Sequence, residues 1–429
     1  MKVYFKYSLV FLIILLLVGS TLMAFAGEKK EVKTILFYSH RLSEQPYGDI
    51  LRNELERYMI LHPDIKIETA TTSYTETPTK LATMVLGGAS PDVVYCGRYQ
   101  GIFRHEGLLM NLEPFIKEYG SEKYKSMFPD VAAGTVSDSE GEWYAIPTEI
   151  QFWTLNINAD RVKEAGIEIP KDRRWNWDEF LEVANKLNNP EKGKYAYVNY
   201  GYGSDGQALV VGQWMLANGG TYWGIDPECT GVNLLTKANI EAVKNYISLG
   251  MNGYQPPGYI ERGGGDHYRL LGSVAAMGIT HPGGVANAIA SSGGKISGFI
   301  PLLTPGNDTL KLSMFIEAWG IGAGAKNPEL GWDLINWLNK EENEIERLEV
   351  QGTLPAMKSA MDKVKAEMPE MKFWIDLVDY SETSGYEYLP GSEEIKKDAN
   401  DALTRMYQGE KVETVLQDLE EKIKEIMKR

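Results

Sequence analysis

Hydrophobic spacing along this chain switches repeatedly between a strand period and a helix period. Ile35 to Tyr38 is a short apolar run that reads as a buried strand. Across residues 47–61, Ile50, Leu51, Leu55, Tyr58 and Met59 recur at helical spacing, and Pro63 stops the pattern. Ile65 to Glu68 alternates as a half-buried strand does. Thr77-Pro78 then offers a capping hydroxyl with proline at the first helical position. Leu81, Met84 and Val85 make that helix's apolar stripe, Gly87-Gly88 close it, and Val93-Val94-Tyr95 reads as a third strand. This βαβαβ order predicts a parallel, doubly wound sheet whose loops after the strand ends are available to a ligand.

A second αβ region begins near Glu149. Phe152 to Leu155 is strand-like and leads into a helix over 160–165. Another helix opens at Asn176 with Glu179 as its capping-box partner, and Phe180, Val183, Ala184 and Leu187 form its inner face. Residues 207–217, 237–249 and 329–339 carry helical patterns. The stretches 253–265 and 278–294 are dense in Gly and Pro, which predicts loops there. The tail, 393–429, is charged and amphipathic and predicts one or two surface helices. No internal repeat or low-complexity segment interrupts the pattern.

The first residues read as an export signal rather than as structure. Lys2 and Lys6 precede the unbroken apolar run Leu9–Val18, and Ala24-Phe25-Ala26 is a small-residue cleavage site. Ten apolar residues fall short of the ~18 that normally span a bilayer. Cleavage after Ala26 leaves no cysteine beside the new terminus, so no lipid attachment point is expected. The remaining length exceeds what one hydrophobic core usually serves and predicts about two domains. A net charge of −15 disfavours nucleic acid and anionic lipid as partners. Cys96 and Cys229 are the two cysteines, and their spacing leaves open whether they bond. Ten Trp and twenty-four Tyr exceed what an aliphatic core needs and point to a surface that stacks on something flat and hydroxylated.

Candidate chemistry narrows the classes further. Gly201-Tyr202-Gly203-Ser204-Asp205-Gly206 matches G-x-G-x-x-G, with Asp226 twenty residues on. The match is mid-chain, however, and Asp226 is followed by Pro227, so a flexible loop near a ligand is the better reading than a dinucleotide site. The five histidines at 40, 62, 105, 267 and 281 form no H-x-x-x-H or H-x-H pair, and no metal site is expected. His40 and His281 each follow a predicted strand and can point into a cleft. A G-x-S-x-G elbow is absent. A glycosidase needs two carboxylates flanking a bond; Glu149, beside Gln151, Phe152 and Trp153, keeps a secreted carbohydrate-active enzyme as the enzymatic alternative.

The order of motifs resembles the extracellular solute-binding proteins of ABC importers, in their maltose-binding-like sugar branch. Lys80-Leu81-Ala82 through Gly87-Gly88 to Pro91-Asp92-Val93-Val94 resembles the family's "helix, small residues, P-D-V" run. Gly141 through Tyr144 to Pro147 resembles its "G-k-x-Y-x-x-P" hinge strand, and Trp175-Asn176-Trp177-Asp178-Glu179-Phe180 its "T-W-d-E-F" helix start. Ala318-Trp319-Gly320, Gly352-Thr353-Leu354-Pro355 and Gly409 with Glu413 continue the series. The match runs in order over 33–429. Where the family places a sugar-stacking tryptophan, Ile279-Thr280-His281 has none, which argues against a malto-oligosaccharide.

That resemblance implies a two-lobe periplasmic-binding-protein fold, α/β in each lobe, with the ligand cleft between lobes and no catalytic residue or cofactor. It places one lobe at 27–146 plus 319–362 and the other at 147–318 plus 363–429, after a signal peptide at 1–26. The expected partners are a small carbohydrate and the ABC permease, reached by an exported monomer that shuts on the sugar. Sugar faces need a ring and sugar hydroxyls need donors and acceptors. His40 and Arg41 after the first strand, Tyr74 after the second, and Arg98 and Tyr99 after the third are the expected ligand residues of one wall. Glu149, Gln151 and Trp153 are expected on the hinge strand, and Trp214, His281, Trp319, Tyr386 and Tyr388 from the second lobe and crossovers.

Overall fold

Runs of β-branched, aromatic and small apolar residues build two separate sheets in the computed structural model. It describes residues 32–428 except 201–204, 226–229, 259–263, 307–311, 379–380 and 384–390. The strands are β1 (Lys33–Tyr38), β2 (Ile65–Ala70), β3 (Val93–Gly97), β4 (Ala145–Phe152), β5 (Thr154–Asn158) and β6 (Tyr195–Val198). They continue with β7 (Ala275–Thr280), β8 (Phe299–Leu302), β9 (Leu312–Gly320), β10 (Leu354–Pro355) and β11 (Ser381–Thr383). The first sheet runs β10-β4-β9-β3-β1-β2, with β11 also on β9; the second runs β6-β7-β5-β8. The helices used below are α1 (Tyr47–Leu61), α2 (Thr77–Leu86), α3 (Trp177–Leu187), α4 (Asp205–Ala217) and α5 (Gly264–Leu271). They are followed by α6 (Pro282–Ser291), α7 (Glu341–Gln351), α8 (Ser392–Tyr407) and α9 (Val412–Ile426).

The expected βαβαβ start is present: β1 pairs in parallel with both β2 and β3. The sheet becomes mixed where β9 returns antiparallel to β3 and β4. Each sheet has its own core. Ile35, Phe37, Val94, Ile146, Trp319 and Ile335 belong to the first, while Leu155, Phe180, Tyr197, Trp214, Met277 and Leu416 belong to the second. Two cores of this size follow from chain length, since one core stops growing before about 300 residues. Helix α3 starts as its sequence requires: Asn176 accepts from the Glu179 backbone and Glu179 returns to the Asn176 backbone, a cap worth about 1 kcal/mol.

Among the described elements the chain changes from one core to the other three times: at Trp153, between β8 and β9, and between β11 and α8. These crossings sit differently from the expected segment ends. A division at 146/147 cuts β4 and one at 318/319 cuts β9, yet both strands lie wholly in the first sheet. Leu312, Met314, Ile316, Trp374, Ile375 and Val378 likewise pack in the first core. Paired strands share one hydrogen-bond ladder, so a boundary falls at the end of a strand and not inside it.

The loop expectation for 278–294 is overturned. Ala275–Thr280 is a strand and Pro282–Ser291 a helix with Pro at its first turn, the one place in a helix where a missing N–H costs nothing. Gly284 serves close packing there: a Cβ would stand 2.0 Å from Thr280 Oγ1. In the other Gly/Pro-dense stretch, α5 begins at Gly264.

Candidate functional site

The turn after β1 sets the first group of cleft residues. Ser39 caps a short 3-10 turn over His40–Ser43, its hydroxyl accepting from the Arg41 amide at 3.2 Å. Gly97 ends β3 at φ +58, and a Cβ there would press on His40 at 3.1 Å and Tyr74 at 3.3 Å. Glycine is therefore what lets the ends of β1 and β3 and the turn after β2 converge. Arg98 follows at once; its Nε donates to the Tyr74 hydroxyl at 3.1 Å and its guanidinium lies over the Phe315 ring at 5.0 Å.

Arg41 is the centre of this wall. One guanidinium nitrogen donates to Glu44 at 2.6 Å and the other to Glu317 at 2.7 Å, and the group lies over the Tyr47 ring at 4.9 Å. Glu317 also accepts from the Tyr95 hydroxyl and, at 3.0 Å, from the Gln151 amide. Burial works against the charge on Glu317, but Arg41 and these hydrogen bonds outweigh it and hold its pKa below the ordinary carboxylate value. Directly across the ladder stands Glu149, at a bulge in β4. Burial, and then the neighbouring Glu317, raise its pKa. It accepts from the Tyr47 hydroxyl and lies 3.4 Å from Arg347. Arg347 is wholly buried and donates to Glu54 at 2.8 Å, to Thr148 at 3.2 Å and to the Leu338 carbonyl at 3.0 Å.

The opposite wall is, among the described residues, aromatic and uncharged. Trp153, the single residue between β4 and β5, faces Tyr200 at 5.1 Å and His281 at 5.5 Å between ring centroids. The Tyr268 hydroxyl is 3.3 Å from His281 Nε2 and 3.1 Å from the Tyr200 hydroxyl. Burial, then Arg41, lowers the pKa of His281 to about 4, and the same two causes lower His40 to about 3. Both imidazoles are neutral near pH 7 and can donate and accept.

Together the walls enclose a cavity of about 510 Å³. Of the expected residues, His40, Arg41, Tyr74, Arg98, Gln151, Trp153 and His281 line it. Tyr99 instead stacks behind Tyr74 at 4.9 Å, and Glu149 lies beneath the floor, buried against Tyr47 and Arg347. Trp214 and Trp319 are fully buried. Trp214 packs against Trp177 and Phe180 in the second core, and Trp319 packs edge-on to Tyr95 while its ring N–H donates to Thr148 at 2.9 Å. Neither reaches the cleft, because an indole whose face is already covered in a core has none left for a ligand. Tyr386 and Tyr388 lie outside the described residues, as do Cys229, residues 1–26 and 201–204 of the glycine motif. Cys96 is a free, buried thiol.

Glu44, Gln45, Tyr268, Asn287, Glu317 and Gln351 also line the cavity and escaped the sequence reading. Glu317 carried a usable signal: it is the one charged residue in Leu312–Gly320, a strand that is buried throughout. Asn287 was hidden because its segment reads as a loop, and Tyr268 because no element is predicted over the later part of α5. Among the described residues no group of three or more His, Cys, Asp or Glu is placed to hold a metal ion.

A polar cavity between two α/β lobes, walled by both and crossed by hinge strands, defines a ligand receptor of the two-lobe periplasmic-binding-protein class. Comparison with known proteins gives the family. The profile of the bacterial extracellular solute-binding proteins matches residues 43–345, and the chain belongs to that family. A curated relative, a putative ABC transporter periplasmic-binding protein, YcjN, of Escherichia coli K12, is 25% identical over 183 residues, 42% of this chain and 41% of that one. An uncharacterized lipoprotein of Streptomyces antibioticus is 30% identical over 136 residues, 31% of this chain. The matched stretch thus spans under half the length of either curated relative. Among solved structures, an ABC transporter solute-binding protein of Thermotoga lettingae bound with α-D-tagatose superposes with a TM-score of 0.78 at 18% identity, covering 92% of this chain and 100% of that one. The GacH receptor of Streptomyces glaucescens, solved with acarbose, gives 0.77 at 17% identity, over 92% and 98%. These likenesses fix the fold.

Proposed function

We propose that this protein is the exported sugar receptor of an ABC importer, which captures a carbohydrate between its lobes and hands it unchanged to the permease. The observation that carries the reading is the cavity itself. Donors and acceptors held in place by Arg41 and Glu317 face the Trp153 ring, and residues from both sheets complete the enclosure. A ring for a C–H face and oriented polar groups for a hydroxyl rim are what a sugar asks of a site. Several similarly folded proteins were solved with sugars or polyols, tagatose and ribitol among them, and this supports the same ligand class here.

A ligand that touches both walls only when they approach favours the closed arrangement by those extra contacts. The proposed lobes follow the crossings: 32–152 with 312–383 form the first, and 154–302 with 392–428 the second. The proposed route is export through cleavage after Ala26, and the receptor acts as a monomer. The carboxylates lining the cavity among the described residues, Glu44 and Glu317, are both held by Arg41. That arrangement supports binding over hydrolysis, because both acids converge on one cation and do not stand as a pair on either side of a bond.

A thermal-shift screen of sugars and polyols tests the proposal, since a ligand that binds only the native state raises Tm by mass action. A specific Tm rise with a smaller radius of gyration, and no product over hours, is the expected result. Cleavage of any panel member, or a flat response across the panel, overturns it.

A further inference from the structure

A second cavity, of about 340 Å³, adjoins the polar one and has the opposite chemistry. Side chains along β4 alternate: Gln151, with Trp153 just beyond the strand, lines the polar cavity, and Ile150 and Phe152 line the second. Phe152 and Trp374 stand 6.4 Å apart as an aromatic pair on its wall, with Ile289 and Phe299 beside them. The two polar side chains that β5 brings to this lining, Thr154 and Asn156, are already engaged: the Asn156 amide donates to the Thr154 hydroxyl at 3.3 Å, the Thr154 carbonyl at 2.8 Å and the Thr280 carbonyl at 3.1 Å. The two cavities share Ala286, Val350 and Gln351 as a common border. Val350 on α7 is 43% exposed there, a large apolar side chain at the edge of an otherwise polar cleft.

We infer that this apolar chamber receives an apolar substituent carried by the sugar, so that the preferred ligand is a glycoside with an alkyl or aryl aglycone and not a bare sugar. The inference rests on the sugar-receptor reading. A free sugar leaves Val350 and the Phe152–Trp374 wall in water; an aglycone that passes Ala286 covers them while the sugar hydroxyls stay with Arg41 and Gln151. The shared border argues for this occupant, because a substituent on a sugar held in the polar cavity has only Ala286, Val350 and Gln351 to cross before it reaches the chamber. Removing apolar surface from water on both partners raises affinity without a new hydrogen bond.

The test is titration calorimetry with free sugars and with matched methyl and phenyl glycosides of glucose, galactose and xylose. For a sugar whose methyl glycoside binds, the phenyl glycoside is expected to bind about tenfold more tightly or better, with a more negative heat capacity change. Ile289→Trp, which fills the chamber from a residue outside the polar cavity, should abolish that gain and leave methyl-glycoside affinity unchanged. Trp374→Ala, which enlarges the chamber, serves as the second variant and should shift preference from phenyl toward naphthyl glycosides. Equal affinity for methyl and phenyl partners, or binding of free sugars with refusal of every glycoside, overturns the inference and leaves the sugar reading standing. Failure of all sugars and all glycosides removes both.

Discussion

The two walls of the polar cleft solve the same problem with different materials. The wall from the first sheet is charged and braced from below: Arg41 spans Glu44 and Glu317, and a second layer of Tyr47, Glu149, Arg347 and Glu54 lies under it. The wall that includes Trp153 and the second-sheet residues is neutral, made of Trp153, Tyr268 and His281 in ring contact. Long, flexible charged side chains lose rotamer freedom when fixed, so a precise polar wall needs supports. Rings are stiff and position themselves by packing. The difference predicts that substitutions in the first wall act through position, and those in the second through lost contact area.

The support layer is the place to break the comparison hardest. Arg347→Met leaves Glu54 and Glu149 buried without their cation, and should destabilise the fold by about 3–5 kcal/mol, read as a large drop in Tm. A stability equal to that of the parent would show that the layer is not a brace. Next in size, Glu317→Gln weakens the anchor of Arg41 and should cost roughly 1.5–3 kcal/mol of sugar affinity, at least tenfold, with a smaller change in Tm. If calorimetry finds affinity intact, Arg41 is held by Glu44 alone. Trp153→Leu keeps apolar bulk but removes the ring, and a loss of about 1 kcal/mol, roughly fivefold in Kd, is expected. A loss as large as that of Glu317→Gln would erase the distinction between the walls.

The smallest effect concerns pH. His40 and His281 are held down to about 3 and about 4, chiefly by burial and secondly by Arg41, whereas an unfolded imidazole titrates near 6.5. Between those values the unfolded chain binds protons that the fold refuses. Their contribution to stability is therefore complete above about pH 6.5 and is lost as the pH falls toward 3. His40→Gln should flatten that acid limb in pH-dependent unfolding. Affinity itself should stay level from about pH 8 to 5, because neither imidazole changes charge there. A midpoint near 6.5 in the binding curve would mean that the cleft histidines are solvated.

The comparison also explains which residues could be read in advance. Residues just past strand ends were legible: His40 and Arg41 after β1, Tyr74 after β2 and Arg98 after β3 all reach the cavity. Their legibility comes from the doubly wound topology, which puts the loops after parallel strands on one edge. Tryptophans were the reverse. Trp153 lines the cleft, yet Trp214 and Trp319 are swallowed by the two cores, and an indole in an apolar run looks alike in either setting. Glu317 is less legible because it stands as the one acid in a strand whose pattern is dominated by Phe315 and Trp319. Pro282 and Gly284 in α6 spelled a loop by composition; the close approach to Thr280 reversed that reading.

Sequence alone determined the βαβαβ order at the start of the chain, the capping of α3, the amphipathic faces of the tail and the need for more than one core. The first three are set by residues within a few positions of one another, where periodicity and caps act, and the last by chain length. Tertiary structure alone decided that Glu149 faces Glu317 across a ladder, that Arg347 underpins Glu149 from a helix nearly two hundred residues away, and that a polar and an apolar cavity share one border. Such pairings depend on strand register and on where three crossings bring two lobes together, and no local pattern of residues encodes either.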